Sequence, residues 1–110
     1  MSELEMQILQ IISAAGDSKA KAFQAFQKIQ ESDYEGARAL LKEARDIDLE
    51  AHKAQTELIR KELSQDDGEK LPVSLLMVHD QDNYMSSQLV RDLIEKIIDV
   101  FESKEVKKWE

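Results

Sequence analysis

The chain has 110 residues and a mass of about 12.6 kDa, with 42% hydrophobic residues, 35% charged residues and a formal net charge of −8. Three glycines, one proline and no cysteine exclude a disulfide scaffold, a thiol nucleophile, a cysteine zinc site and a turn-rich all-β fold. The acidic balance excludes the basic face of a nucleic-acid binder, which leaves one all-α domain over residues 1–110.

The first predicted helix covers about 3–30. Leu4, Ile8, Ile11, Ile12, Ala15, Ala22, Phe23, Phe26 and Ile29 recur at three- and four-residue steps, the period of one helix face. Gly16-Asp17 interrupts the stripe and marks a candidate bend. The N-terminal segment carries Glu3 and Glu5 and no basic cluster, and its apolar run is short, so it does not read as a signal peptide. No stretch approaches the roughly 20 apolar residues of a membrane span. With no cysteine, the expected location is the cytoplasm, without membrane insertion.

At Ser32-Asp33 either residue can cap a second helix, over about 33–65. Its apolar face is Ala37, Leu40, Leu41, Ala44, Ile47, Ala51, Ala54 and Leu58. Gly68 can end this helix, and Pro72 fits the first turn of a third, over about 72–106. The acidic pairs Asp46-x-Asp48 and Asp66-Asp67 read as solvated surface. Short connections make successive helices antiparallel, which gives an up-down-up three-helix bundle. The third helix is too apolar for a small monomer: Leu93, Ile94, Ile97 and Ile98 alone cover more than half its circumference. One stripe suffices to face two neighbours, so a second buried face in an oligomer is expected.

Two residues invite a chemical reading. His79 and Asp82 share an otherwise apolar stripe with Leu75, Ser86, Leu89 and Leu93. A histidine there reads either as a reactive group or as a boundary residue hydrogen-bonded to a nearby carboxylate. His52 shares a face with Gln55, Thr56 and Ile59, and reads alternatively as a contact between helices. The isolated glycines form no phosphate loop, and two histidines make a weak case for zinc.

The run Val78-His79-Asp80-Gln81-Asp82-Asn83-Tyr84-Met85-Ser86 resembles the Val-His-Ala/Gly-Gln-Asp-His-Leu-Met-Thr signature of the lactose/cellobiose family of enzyme IIA, a component of the bacterial phosphoenolpyruvate-dependent sugar phosphotransferase system. Ala51-His52-Lys53-Ala54-Gln55-Thr56 is similar to the family's Ala-His-x-x-Gln-Thr, and Gly16-Asp17-Ser18-Lys19 to its Gly-Asp-Ala-Arg. The resemblance implies a phosphocarrier. His79 would accept a phosphoryl group from the histidine phosphocarrier protein and pass it to a cysteine of the IIB component during disaccharide uptake. Gln81, His52 and Gln55 would support it. The resemblance further implies a homotrimer in which Asp82 binds a divalent ion such as Mg²⁺ on the threefold axis, where the cation offsets repulsion among three carboxylates. The competing class is a non-catalytic helical interaction or regulatory module. This chain departs from the pattern at Asp80, Asn83 and Tyr84. The first is expected to add a negative charge beside the reactive histidine.

Overall fold

A computed structural model describes residues 2–64 and 75–109. It contains three helices: α1 over Glu3–Gln30, α2 over Tyr34–Ser64 and α3 over Leu75–Trp109. The helix formed from residue 75 continues beyond the expected 106, since no glycine or proline follows residue 72 to stop it. Gly68 and Pro72, with the turn they were expected to make, lie outside the described residues, as do Asp66 and Asp67.

Side chains at its start and backbone geometry at its end set the limits of α1. Ser2 caps the start, its Oγ accepting from the Glu5 amide at 3.1 Å. Glu3 and Glu5 lie in the first turn and Lys28 in the last, so the charges oppose the helix dipole. At the C-terminal end Ser32 adopts φ 60°, in the left-handed region. The amides of Ser32 and Asp33 bond the carbonyls of Ile29 and Lys28, both at 2.9 Å, which closes the helix in the pattern a glycine usually supplies. Asp33 is then the cap of α2, accepting from the Gly36 amide at 2.9 Å. A side chain at Gly36 would collide with that capping carboxylate. Helix α1 runs unbroken through Gly16, the candidate bend: its φ is not positive and the space beside it is open. The helix therefore loses only propensity there.

Helices α1 and α2 pack with α3 in up-down-up order. One apolar cluster joins Ala22, Ala25 and Ile29 to Ala37 and Leu41 and to Ile94 and Ile98. A second joins Ile8 and Ile11 to Ala51 and Leu58 and to Tyr84. Both clusters progress in the same chain direction along α1 and α3 and in the reverse direction along α2. Phe23 and Phe26, placed on the core stripe from spacing, are exposed instead, and small residues at Ala22 and Ala25 take the inner positions. These alanines let the backbones approach closely.

Between the clusters lies a polar layer. Ser18 Oγ donates to the Ala44 carbonyl at 3.1 Å. Asp48, 2% exposed, accepts from Ser87 Oγ at 3.1 Å and from Arg91 Nη1 at 2.8 Å. The reading of Asp48 as solvated surface is thus corrected: it turns inward because a cation and a hydroxyl on α3 meet it there.

The expected second apolar face of α3 is present. Val78, Met85, Leu89, Leu93 and Val100 are all close to half exposed or more, while Ile94 and Ile98 are buried. Asp82 falls within the exposed stripe, between Val78 and Met85.

Candidate functional site

His79 lies on the first turns of α3, where the helix presents it to solvent. It lines an open groove with Leu76, Val78 and Asp82. Its nearest polar partner is Asn83, one turn along the helix. Asn83 Nδ2 lies 3.1 Å from His79 Nε2, 3.4 Å from its Nδ1 and 3.0 Å from its backbone carbonyl oxygen. The alternative of a boundary histidine bonded to a carboxylate is not what forms. Asp82 is exposed and has no described hydrogen-bond or ion-pair partner.

The amide of Asn83 is itself held from α1. Lys19 Nζ donates to Asn83 Oδ1 at 3.2 Å and to Ser86 Oγ at 3.0 Å. Ser86 Oγ in turn donates to the Asn83 carbonyl at 3.1 Å. Sequence reading quoted Lys19 within a motif without giving it a contact, and treated Asn83 only as a departure. The four-residue step from His79 to Asn83 was the available signal, because residues so spaced are neighbours on a helix face.

Asp80, expected to add a negative charge beside the histidine, interacts with His79 electrostatically but does not share its exposure. It turns into the bundle and is fully buried. Among the described residues neither carboxylate oxygen has a hydrogen-bond partner, and the same holds for Gln55 Oε1, which lines a cavity with Asp80 and Gln81. Burial pushes the Asp80 carboxyl up to about 6, opposed by the charge of His79. Because that value lies above the ordinary 3.8, the folded chain holds the proton more tightly than the unfolded chain. Stability is then greatest below the unfolded value and falls as pH rises through the folded one. The substitution Asp80→Asn should therefore stabilise the fold by about 2 kcal/mol near pH 7 and by little at about pH 4. Denaturant unfolding at the two pH values checks this.

His52 sits on α2 and contacts α3 through Tyr84, with His52 Nδ1 2.5 Å from the phenol oxygen and the rings stacked at 25°. Gln88 Nε2 donates to the same hydroxyl at 3.0 Å, so the phenol's own proton is available to His52 Nδ1. This is the helix-to-helix contact considered for His52, and the phenol that completes it stands where the signature has leucine. Gln55 and Gln81 are brought together with Asp80, while His79 and Asp82 open on the separate groove. Both histidines are exposed, but His52 has its Nδ1 engaged by Tyr84, while His79 opens on a groove, and a histidine so presented can carry a transferable group.

The comparisons with known proteins agree with this arrangement. Residues 6–102 match the family model of the phosphotransferase system lactose/cellobiose-specific IIA subunit. The lichenan-specific phosphotransferase enzyme IIA component of Bacillus subtilis is 39% identical over 100 residues, covering 91% of this chain and 88% of that protein. The crystal structure of the cellobiose-specific enzyme IIA from Bacillus anthracis superposes with a TM-score of 0.88 at 32% identity, covering 97% and 95% of the two chains. The solution structure of the chitobiose IIA bound to HPr, from Escherichia coli, gives 0.81 at 31% identity, covering 96% and 99%. The protein is thus an all-α phosphoryl carrier of the sugar phosphotransferase type. It belongs to the lactose/cellobiose-specific IIA family. A bare interaction module gives way to a component of a phosphotransferase relay. Among the described residues no helix is long and apolar enough to cross a membrane.

Proposed function

We propose that His79 accepts a phosphoryl group from the histidine phosphocarrier protein and passes it to a cysteine of the IIB component, in the cytoplasm, for uptake of a cellobiose-, chitobiose- or lactose-type disaccharide. The observation that carries this is the presentation of His79: exposed on α3, in an open groove, with the Asn83 amide against its ring. Acceptance forms a nitrogen–phosphorus bond on His79 as the bond to the donor histidine breaks, and onward transfer breaks the His79 bond as the cysteine sulfur of the IIB component bonds to phosphorus. The bonding pair stays with the donor nitrogen. An open groove suits this, because two successive protein partners must reach the same atom. Gln81, and Gln55 behind it, support the segment; His52 braces it through Tyr84. Incubation with phosphoenolpyruvate and the phosphocarrier protein should place acid-labile phosphate on the wild type, and a chain that takes no label contradicts the proposal.

The same reading includes a homotrimer. The exposed apolar stripe of Val78, Met85, Leu89 and Leu93 supports it, because such a stripe is costly in water. Asp82 lies in this stripe without a described partner. Among the described residues no single chain groups three or more His, Cys, Asp or Glu that could hold a metal ion. A carboxylate from each of three copies would supply oxygen donors of the kind a hard cation such as Mg²⁺ takes, with water completing its shell, and its charge would allow the three to approach. Light scattering should give a trimer for the wild type and a monomer for Leu89→Glu. A monomeric wild type with and without Mg²⁺ would remove the assembly.

A further inference from the structure

Each arginine of the chain meets a carboxylate: Arg38 that of Asp99, Arg45 that of Glu95, Arg60 that of Glu57 and Arg91 that of Asp48. Lys19 differs. Its side chain is partly buried between α1 and α3, where the ammonium meets two neutral oxygens, Asn83 Oδ1 at 3.2 Å and Ser86 Oγ at 3.0 Å. Among the described residues no carboxylate pairs with it, in a chain of net charge −8. A cation drawn out of water without a counter-charge is costly, and an anion brought near it gains more than it would in bulk solvent. The ammonium only donates, so it holds the amide oxygen of Asn83 toward itself and the NH₂ group toward His79. That amide nitrogen lies 3.0 Å from the His79 carbonyl oxygen and 3.1 and 3.4 Å from the two ring nitrogens. Two such similar distances place it over the face of the ring, with one N–H for the carbonyl and the other above the imidazole.

Phosphorus bonded to either ring nitrogen lies in the plane of the ring. Its three oxygens spread to both sides of that plane, and one of them comes to the side on which the Asn83 amide stands. We propose that Asn83 and Lys19 form the seat of the phosphoryl group on His79: the amide N–H donates to a phosphoryl oxygen, and the ammonium behind it supplies the counter-charge. The seat serves whichever ring nitrogen bonds phosphorus, and it rests on His79 being the phosphoryl acceptor. On acceptance the His79 nitrogen bonds to phosphorus as the bond from phosphorus to the donor histidine breaks, and the donor nitrogen keeps the electron pair. The group brings about two negative charges with it. Hydrogen bonds with an ionised member are roughly twice as strong as neutral ones, so the amide is a better donor to the phosphoryl group than to the bare ring. Lys19 belongs to α1 and His79 to α3, so the seat depends on the packing of these two helices.

The test uses the full chain, phosphorylated through the histidine phosphocarrier protein. In the wild type the side-chain amide proton signals of Asn83 should move downfield in NMR spectra when phosphate is accepted. Lys19→Met keeps the aliphatic stem and removes the charge. It should slow acceptance roughly tenfold, the scale of one hydrogen bond to a charged group, and shift the phosphoryl equilibrium by the same factor toward the phosphocarrier protein. Lys19→Arg should restore both. Asn83→Asp keeps an oxygen for Lys19 and turns the contact into an ion pair, so the chain should unfold in urea no more easily than the wild type. It should nevertheless accept phosphate at least as poorly as Lys19→Met, because the N–H is gone and a negative charge stands in its place. A pair with a structural role alone would not separate stability from transfer in this way. Asn83 signals unmoved by phosphorylation, or an equilibrium unchanged by Lys19→Met, overturn the seat and leave His79 as the carrier. A wild type that takes no phosphate removes the carrier reading and the seat together.

Discussion

Replacing His79 with glutamine should lower phosphoryl transfer by roughly a thousandfold or more while leaving the fold intact. The loss is large because the acceptor atom is the covalent intermediate itself, and glutamine supplies no nucleophilic nitrogen. The fold should survive because the side chain is exposed and its bonds are to Asn83 alone among the described side chains. Surface changes of this type alter stability by about 0.5 kcal/mol at most. Circular dichroism and denaturant unfolding should therefore superpose on the wild type, while labelling from phosphoenolpyruvate disappears. A variant that still takes acid-labile phosphate at the wild-type rate places the acceptor elsewhere.

The largest expected effect on stability is at Arg91. Its guanidinium meets the Asp48 carboxylate at 2.8 Å, with side-chain exposures of 15% and 3%. Removing the cation by Arg91→Met leaves a buried carboxylate with only the Ser87 hydroxyl as a partner. Breaking such a pair on one side costs about 3 kcal/mol. Replacing both partners, Arg91→Met with Asp48→Leu, removes the charge together with its counter-charge and should recover most of that loss. Urea unfolding of the two single variants and the double variant measures the coupling directly. Additive effects would mean that the pair does not act as a unit. Asp48 and Asp80 make a useful contrast: both carboxylates are buried in the same bundle, but the first meets an arginine and the second has no hydrogen-bond partner among the described residues. The structure therefore predicts stabilisation on neutralising Asp80 and destabilisation on unpairing Asp48.

The helices were legible because their period is written in aliphatic residues. Ile8, Ile11, Ala15 and Ile29 on α1, and Ala37, Leu41, Ala44 and Leu58 on α2, are buried as their spacing requires. The excess apolar surface of α3 was legible for the same reason. Periodicity could not separate neighbouring positions of one stripe, so Phe23 and Phe26 were placed inward with Ala22, whereas Ala22 and Ala25 are buried and both phenylalanines are exposed. Nor could it show that Asp48 is buried, because the deciding partner, Arg91, is 43 residues away.

The candidate site was read in part. His79 and Asp82 stood out on one helical stripe, Gln81 came from a motif, and a motif carries order along the chain but no direction for side chains. Asp80 follows His79 directly, yet a helix turns successive residues about 100° apart; one faces solvent while the other is buried. Lys19 lies 64 residues from Asn83, and only packing α1 on α3 brings its ammonium to the amide. Tyr84 turned out to complete the contact of His52, so a departure from the signature provides a brace between α2 and α3.

The chain has two histidines, and this makes the central claim open to one direct measurement. Protein labelled from phosphoenolpyruvate through the histidine phosphocarrier protein can be cleaved under alkaline conditions, where phosphohistidine survives, and the modified residue assigned by mass spectrometry. The account predicts phosphate on His79 and none on His52, whose Nδ1 is engaged by Tyr84. Phosphate on His52, or on neither histidine, would contradict it.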